Sequence, residues 1–216
     1  MLKEKLSHVL WLGGGTDAGK TTVARLLAEK HGWRLYEFDR SEPAHIERLL
    51  AEGAKYYGEF MAMTEDERWI LRSPAEMAAG TIGGWSERVK LVVEELLAMP
   101  QDGIILAEGP GFFPEVIQPF LSSPFQAVWL VPTEEFKWFS MKQRGKYVRR
   151  RQMSDPERAV NNHFGRDMIM AAHVVEQAKK LGLEVITVDG SMPAKGVAGL
   201  VEGHFGRYLR ESQGAS

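Results

Sequence analysis

The sequence predicts a three-layer α/β/α protein built on a parallel sheet. Three observations predict it. Apolar, β-prone runs alternate with longer helical patterns from one end of the chain to the other. Among these runs Val9-Leu10-Trp11-Leu12 is continuously apolar, as a strand buried on both faces should be. The first of them leads into a Gly-rich loop that opens a helix, the arrangement in which parallel sheets bind ligands at the carboxyl ends of their strands.

His8-Val9-Leu10-Trp11-Leu12 is the first predicted strand. Gly14-Gly15-Thr16-Asp17-Ala18-Gly19-Lys20-Thr21 follows it and fits the phosphate-loop pattern G-x-x-x-x-G-K-S/T without a mismatch. Val23, Leu26 and Leu27 then recur at helical spacing, and His31-Gly32 stops the helix. Trp33 to Phe38 reads as the second strand, ending at Asp39-Arg40. Residues 41–100 are helical, with Pro43, Gly53, Gly58, Pro74 and Gly80 as punctuation, and the clearest stripe is Val89, Val92, Val93, Leu96 and Leu97. Gly103 to Glu108 is the third strand and Gln126 to Val131 the fourth, closed by Pro132-Thr133. Asp155 caps a helix with Pro156 at its first position, running to about Leu181-Gly182. Leu183 to Val188 is the fifth strand, Val197 to Phe205 lies on a last helix, and Glu211 to Ser216 reads as a loose tail. The chain is expected to be one domain over 1–216, with a helical insert at 41–100 and a basic lid at 142–156.

Composition excludes several classes. The net charge of −2 marks no nucleic-acid or membrane partner. The absence of cysteine excludes disulfides, thiolate metal sites and a thiol nucleophile, and suits a cytoplasmic location. The N-terminal run leads straight into the phosphate loop and is not expected to be a signal peptide. No apolar run approaches the roughly 20 residues of a membrane span.

The chemistry concentrates at strand ends. Gly14, Gly15, Thr16, Asp17, Ala18 and Gly19 would turn backbone N–H groups toward phosphate, with Lys20, Thr21 and Thr22 opening the helix behind them. Lys20 would reach the β- and γ-phosphates of ATP and Thr21 would hold Mg²⁺. Asp39 is placed to take the proton of an acceptor hydroxyl, and Arg40 to clamp an anionic acceptor; the plainer alternative is a capping Asp beside an exposed Arg. Glu108 ends the third strand, where a carboxylate would hold Mg²⁺, and the loop Gly109-Pro110-Gly111 would let an acceptor approach it. The basic run Lys142, Arg144, Lys146, Arg149, Arg150 and Arg151 reads as a lid over the triphosphate, Arg144 foremost and Arg149 next, or as a solvated turn. Arg158 and Arg166 would reach in from the following helix, and Arg72 and Arg88 would grip the acceptor unless they are ordinary surface arginines. Tyr56, Tyr57, Trp69 and Trp85 belong to an acceptor pocket or, more simply, to the core. His163 and His173 lack partners at metal-ligand spacing and read as structural.

With the phosphate loop near the N-terminus, Asp39 after strand two, a helical insert and an Arg-rich segment after strand four, the chain resembles the P-loop small-molecule and nucleotide kinases. These include nucleoside monophosphate kinases, shikimate and gluconate kinases, and chloramphenicol phosphotransferase. The resemblance covers about residues 8–190 and implies strand order 2-3-1-4-5, ATP on the loop, and a small-molecule acceptor on the insert. It implies that 142–156 closes as the lid and that Asp189-Gly190-Ser191 passes close to the adenine. It does not choose the acceptor. The alternative from another class is a nucleotide-binding regulatory protein on the same scaffold. A GTPase is excluded by Glu108-Gly109-Pro110-Gly111 standing where Asp-x-x-Gly would be needed.

Overall fold

The computed structural model describes residues 2–145 and 153–214, with side chains as far as Glu211. A five-stranded parallel sheet runs through it in the order β2-β3-β1-β4-β5. The strands are β1 (Val9–Gly14), β2 (Arg34–Glu37), β3 (Ile105–Glu108), β4 (Ala127–Pro132) and β5 (Glu184–Val188). The helices are α1 (Leu2–Lys5), α2 (Lys20–His31), α3 (Glu42–Ala51), α4 (Lys55–Ala62), α5 (Pro74–Ala98), α6 (Pro114–Ile117), α7 (Glu134–Gln143), α8 (Pro156–Leu181) and α9 (Ala194–Gly214).

Alternation along β1 sorts the core into two layers. Trp11 points to one face, where it packs with Val92 of α5, Trp129 and Val174 of α8. Leu10 and Leu12 point to the other, against Leu27 of α2 and Val201 and Phe205 of α9. Trp11 and Trp129 are fully buried. Truncating a core tryptophan costs about 3–5 kcal/mol, so these two fix the central strands firmly. Trp129 also satisfies its indole N–H on the carbonyl of Phe112, at 2.6 Å.

Several boundaries shift from the sequence expectation by one or two residues, and two of the differences change a reading. The second strand stops at Glu37, and Phe38–Arg40 forms a 3₁₀ turn. Arg88 explains the departure: its Nη2 donates to the Phe38 carbonyl at 2.6 Å and its guanidinium lies 3.7 Å from the Phe38 ring. That carbonyl is thereby diverted from a sheet partner. At the other end, α9 continues to Gly214, so Glu211 is helical and not part of a tail.

The insert occupies the connection from β2 to β3 and comprises α3, α4, a turn at Glu67–Leu71 and α5. A capping box starts α5: Ser73 accepts from the Glu76 N–H, the Glu76 carboxylate accepts from the Ser73 N–H, and Pro74 takes the first turn. No helix among the described residues is long and apolar enough to cross a membrane.

Candidate active site

The phosphate loop is moulded onto β4. Gly14 adopts φ 119°, and a Cβ there would stand 2.0 Å from the carbonyl oxygen of Leu130. Gly15 donates to that same oxygen at 2.8 Å. No side chain fits so close an approach. The loop passes through Asp17, whose φ of 65° is the one positive value at a non-glycine among the described residues. Helix α2 then begins at Lys20, aiming its N-terminal end into the loop.

Lys20 is buried, and its ammonium donates to the Gly15 carbonyl at 2.7 Å. Burial lowers its pKa to about 8, against the opposing pull of Glu108, Asp39 and Asp17. One residue on, Thr21 Oγ1 donates to Glu108 Oε1 at 3.0 Å. Glu108, buried at the end of β3, is pushed above the usual carboxylate range by burial, with Lys20 and Thr21 holding it down. Thr22 stands exposed on the first turn of α2. Among the described residues no group of three or more His, Asp or Glu converges as a metal cage. Magnesium in phosphoryl-transfer sites needs less, taking one or two protein oxygens beside phosphate and water. The Thr21 hydroxyl and Glu108 carboxylate are hard oxygen donors that meet this need.

Behind the loop lies a buried ion cluster that sequence reasoning missed. Lys137 of α7 donates to Thr16 Oγ1 at 2.8 Å, Asp17 Oδ2 at 3.0 Å and Asp167 Oδ2 at 2.7 Å. The side chains of all three charged residues are fully buried. Thr16 donates to Asp167 at 2.6 Å, and Arg166 grips the other Asp167 oxygen at 2.6 and 2.9 Å. Burial pushes the Asp167 carboxyl up, but Arg166, His163 and Lys137 together hold it far below the ordinary value. The cluster ties the loop to both α7 and α8. A signal for it existed: Asp167 falls in register with Val160, Phe164, Ala171, Val174 and Ala178 on the buried stripe of α8. A charge in such a stripe needs a buried partner.

The predicted site residues divide between two sides of a cleft. A cavity of about 560 Å³ is lined by Thr16, Asp39, Pro110, Met141, His163 and Arg166 among others, so Asp39 shares it with the phosphate loop. Arg40 is elsewhere: the 3₁₀ turn folds it back onto Glu37, its side chain is 77 % exposed, and it is not among the residues lining either cavity. Arg88, proposed as an acceptor grip, is instead fully buried under the Asp39 turn, where it also pairs with Glu42 at 3.1 Å. The Gly109-Pro110-Gly111 loop needs its glycines for the Phe38 ring, which a Cβ at either position would strike. Arg144, exposed after the last turn of α7, pairs with Asp17 at 3.3 Å. Arg149, Lys146, Arg150 and Arg151 lie outside the described residues. Arg158 is exposed near the start of α8, and His173 bonds Glu115 at 2.6 Å.

A second cavity of about 320 Å³ opens within the insert, lined by Tyr56, Tyr57, Trp69 and Trp85. Arg72 and Arg166 are on its wall. Asn162 of α8 fixes that wall by donating to the carbonyls of Trp69, Ile70 and Arg72 at 3.1–3.2 Å. The four aromatic residues thus border a cavity, while Tyr57 also packs with Leu49 and Leu91 and Trp85 against Phe38 and Phe113 of the core.

No protein-family model matches the chain, and no curated protein does. Solved structures do. TT1252 from Thermus thermophilus superposes with a TM-score of 0.50 at 17 % identity, over 96 % of each chain. A gluconokinase from Sinorhizobium meliloti gives 0.49 at 16 % identity, again over 96 % of each chain. A shikimate kinase from Acinetobacter baumannii gives 0.48 at 18 % identity, over 92 % of this chain and 94 % of the other. The first of these likenesses shows a shared fold. The fold is a three-layer α/β/α arrangement on a parallel sheet with a P-loop after β1. The implied order 2-3-1-4-5 is the observed one.

Proposed function

We propose that this chain is an ATP-dependent phosphotransferase that moves the γ-phosphate of Mg-ATP to a hydroxyl or phosphate of a small-molecule acceptor. One observation carries the reading. The phosphate loop, with Lys20 and the Thr21–Glu108 pair, faces the insert across a cleft that also holds Asp39.

The loop N–H groups and the α2 terminus bind the triphosphate. Lys20 exchanges the Gly15 carbonyl for phosphate oxygens, which removes the penalty of its burial. Arg144 leaves Asp17 and adds positive charge to the transferring group. Thr21 and Glu108 would hold Mg²⁺, which when bound neutralises charge between the β- and γ-phosphates. Asp39 takes the proton from the acceptor oxygen as that oxygen bonds to the γ-phosphorus and the bond to ADP breaks.

The test is ADP release from Mg-ATP against pooled small molecules, with Lys20→Ala beside the wild type. Removing one transition-state charge contact typically costs about 10²–10³ in turnover. An acceptor pool that accelerates the wild type, with the variant slower by that factor, is the expected result. Equal ADP release by both proteins overturns the assignment. Tight ATP binding with no pool accelerating release would support the regulatory alternative.

A further inference from the structure

The 320 Å³ cavity in the insert has a chemical character that the phosphate loop does not dictate. We infer that the acceptor is a flat, ring-bearing alcohol, aromatic or heteroaromatic, and not an open-chain polyol or sugar acid. This rests on the phosphotransferase reading for the site's purpose, but the selectivity follows from the cavity wall alone.

Ring faces and apolar groups form most of that wall: Tyr56, Phe60, Trp69, Trp85, Ile46 and Met63. Aromatic side chains in such walls favour planar partners, stacked or edge-on. The volume stands at the lower end of the roughly 300–1,000 Å³ usual for small-molecule pockets, which suits one or two rings. Most polar side chains on the wall are already engaged, the exposed Glu59 being the exception. Glu42 accepts from Arg88 at 3.1 Å and from Tyr57 at 3.4 Å. Thr81 donates to the Met77 carbonyl at 2.8 Å, and Arg72 donates to the Glu76 carbonyl. Arg166 is held by Asp167. A polyol entering here would strip water from several hydroxyls against a wall made mostly of rings and apolar groups, with Glu59 at its exposed edge as the acceptor left to it. A ring loses little by the same transfer.

Helix α5 is adapted to this wall. Three glycines, Gly80, Gly83 and Gly84, interrupt a 25-residue helix within five positions. A Cβ at Gly83 would stand 2.5 Å from the Tyr56 ring, and one at Gly84 3.4 Å from the Tyr57 ring. Glycine weakens a helix interior, and here it lets the rings lie against the helix backbone. The cavity also shares Glu42, Trp69, Trp85 and Arg166 with the cleft that contains Thr16 and Asp39. A ring seated among the aromatics therefore extends its hydroxyl substituent toward Asp39 and the phosphate loop.

Binding is measured by calorimetry on the full chain without nucleotide, which keeps it separate from turnover. One set of probes is nucleosides, benzyl alcohols and indolyl alcohols; the other is gluconate and related open-chain sugar acids. Members of the ring set are expected to bind, and to lose about tenfold or more in affinity in Trp69→Ala and in Tyr56→Ala. Two variants on different elements guard against misfolding of either. Binding by sugar acids with none from the ring set overturns the inference, as does unchanged ring binding in both variants or no binding by either set. Adding Mg-ATP then separates the two claims. Ring alcohols that bind without accelerating ADP release leave the ring site standing and remove the kinase reading. Sugar acids that accelerate release when ring alcohols do not have the opposite meaning.

Discussion

The two sides of the cleft are built from different materials. On the phosphate side the working parts are backbone and buried charge: a loop pressed onto Leu130, Lys20 against a carbonyl, and Lys137 between two aspartates. On the insert side they are ring faces on α4, the 67–71 turn and α5, with Glu42, Glu59, Arg72, Thr81 and Arg166 among them. In the proposed reading the phosphate side would bind a group common to many reactions, and its geometry is tied into the core. The insert side would receive the variable partner, and its wall is assembled from α3, α4, the 67–71 turn, α5 and α8. If the comparison is sound, damage to the first side shows as lost stability or chemistry, and damage to the second as changed selectivity.

Breaking the buried cluster should give the largest effect on stability. Lys137→Met leaves Asp17 and Asp167 facing each other with no cation between them. Removing one partner of a buried pair costs about 3–5 kcal/mol, which for a domain of this size lowers Tm by on the order of 10 °C. Scanning calorimetry reads this directly. A Tm unchanged within error would mean that the cluster does not anchor the loop, and the contrast between the two sides would fail.

A smaller and more selective loss is expected at Asp39, which stands where the two sides meet. Asp39→Asn keeps the shape and removes the proton acceptor, so kcat should fall by about 10²–10⁴ while ATP affinity is nearly retained. Steady-state kinetics beside calorimetric ATP binding separate the two quantities. Equal losses in both would assign Asp39 to the triphosphate and not to the acceptor.

This division also explains what the sequence disclosed. The phosphate loop was legible because its spacing is dictated by a ligand of fixed shape, and the strand order followed from the resemblance that this loop anchors. Glu108 was legible as a carboxylate closing an apolar run. Arg40 and Arg88 were not, because their fate depends on a 3₁₀ turn: it folds Arg40 onto Glu37 and draws Arg88 beneath Phe38. Lys137 and Asp167 lie 30 residues apart and pair only once β4 and β5 have been placed side by side. The aromatic wall was ambiguous for a similar reason. Spacing alone does not tell a ring that fills a core from one that borders a cavity, and the glycines of α5 make that difference.

The finest test concerns the energy held in Lys20 before phosphate arrives. Its pKa falls from 10.5 to about 8 on folding, chiefly through burial. Between those values the unfolded chain binds more protons than the folded one, so this group makes stability rise with pH across that window. Below about pH 8 the full penalty applies, roughly 3 kcal/mol at about 1.4 kcal/mol per pH unit. Lys20→Met removes it. The variant should therefore melt above the wild type by several degrees near neutral pH, and the advantage should shrink to nothing as pH approaches 10.5. Taking the difference between the two proteins cancels the other titrating groups. Mg-ATP should reverse the order near neutral pH, because the wild type alone then has an anion for its ammonium. If the variant is no more stable than the wild type at any pH, the Gly15 carbonyl and nearby carboxylates already compensate Lys20 fully, and the phosphate side stores no energy for its ligand.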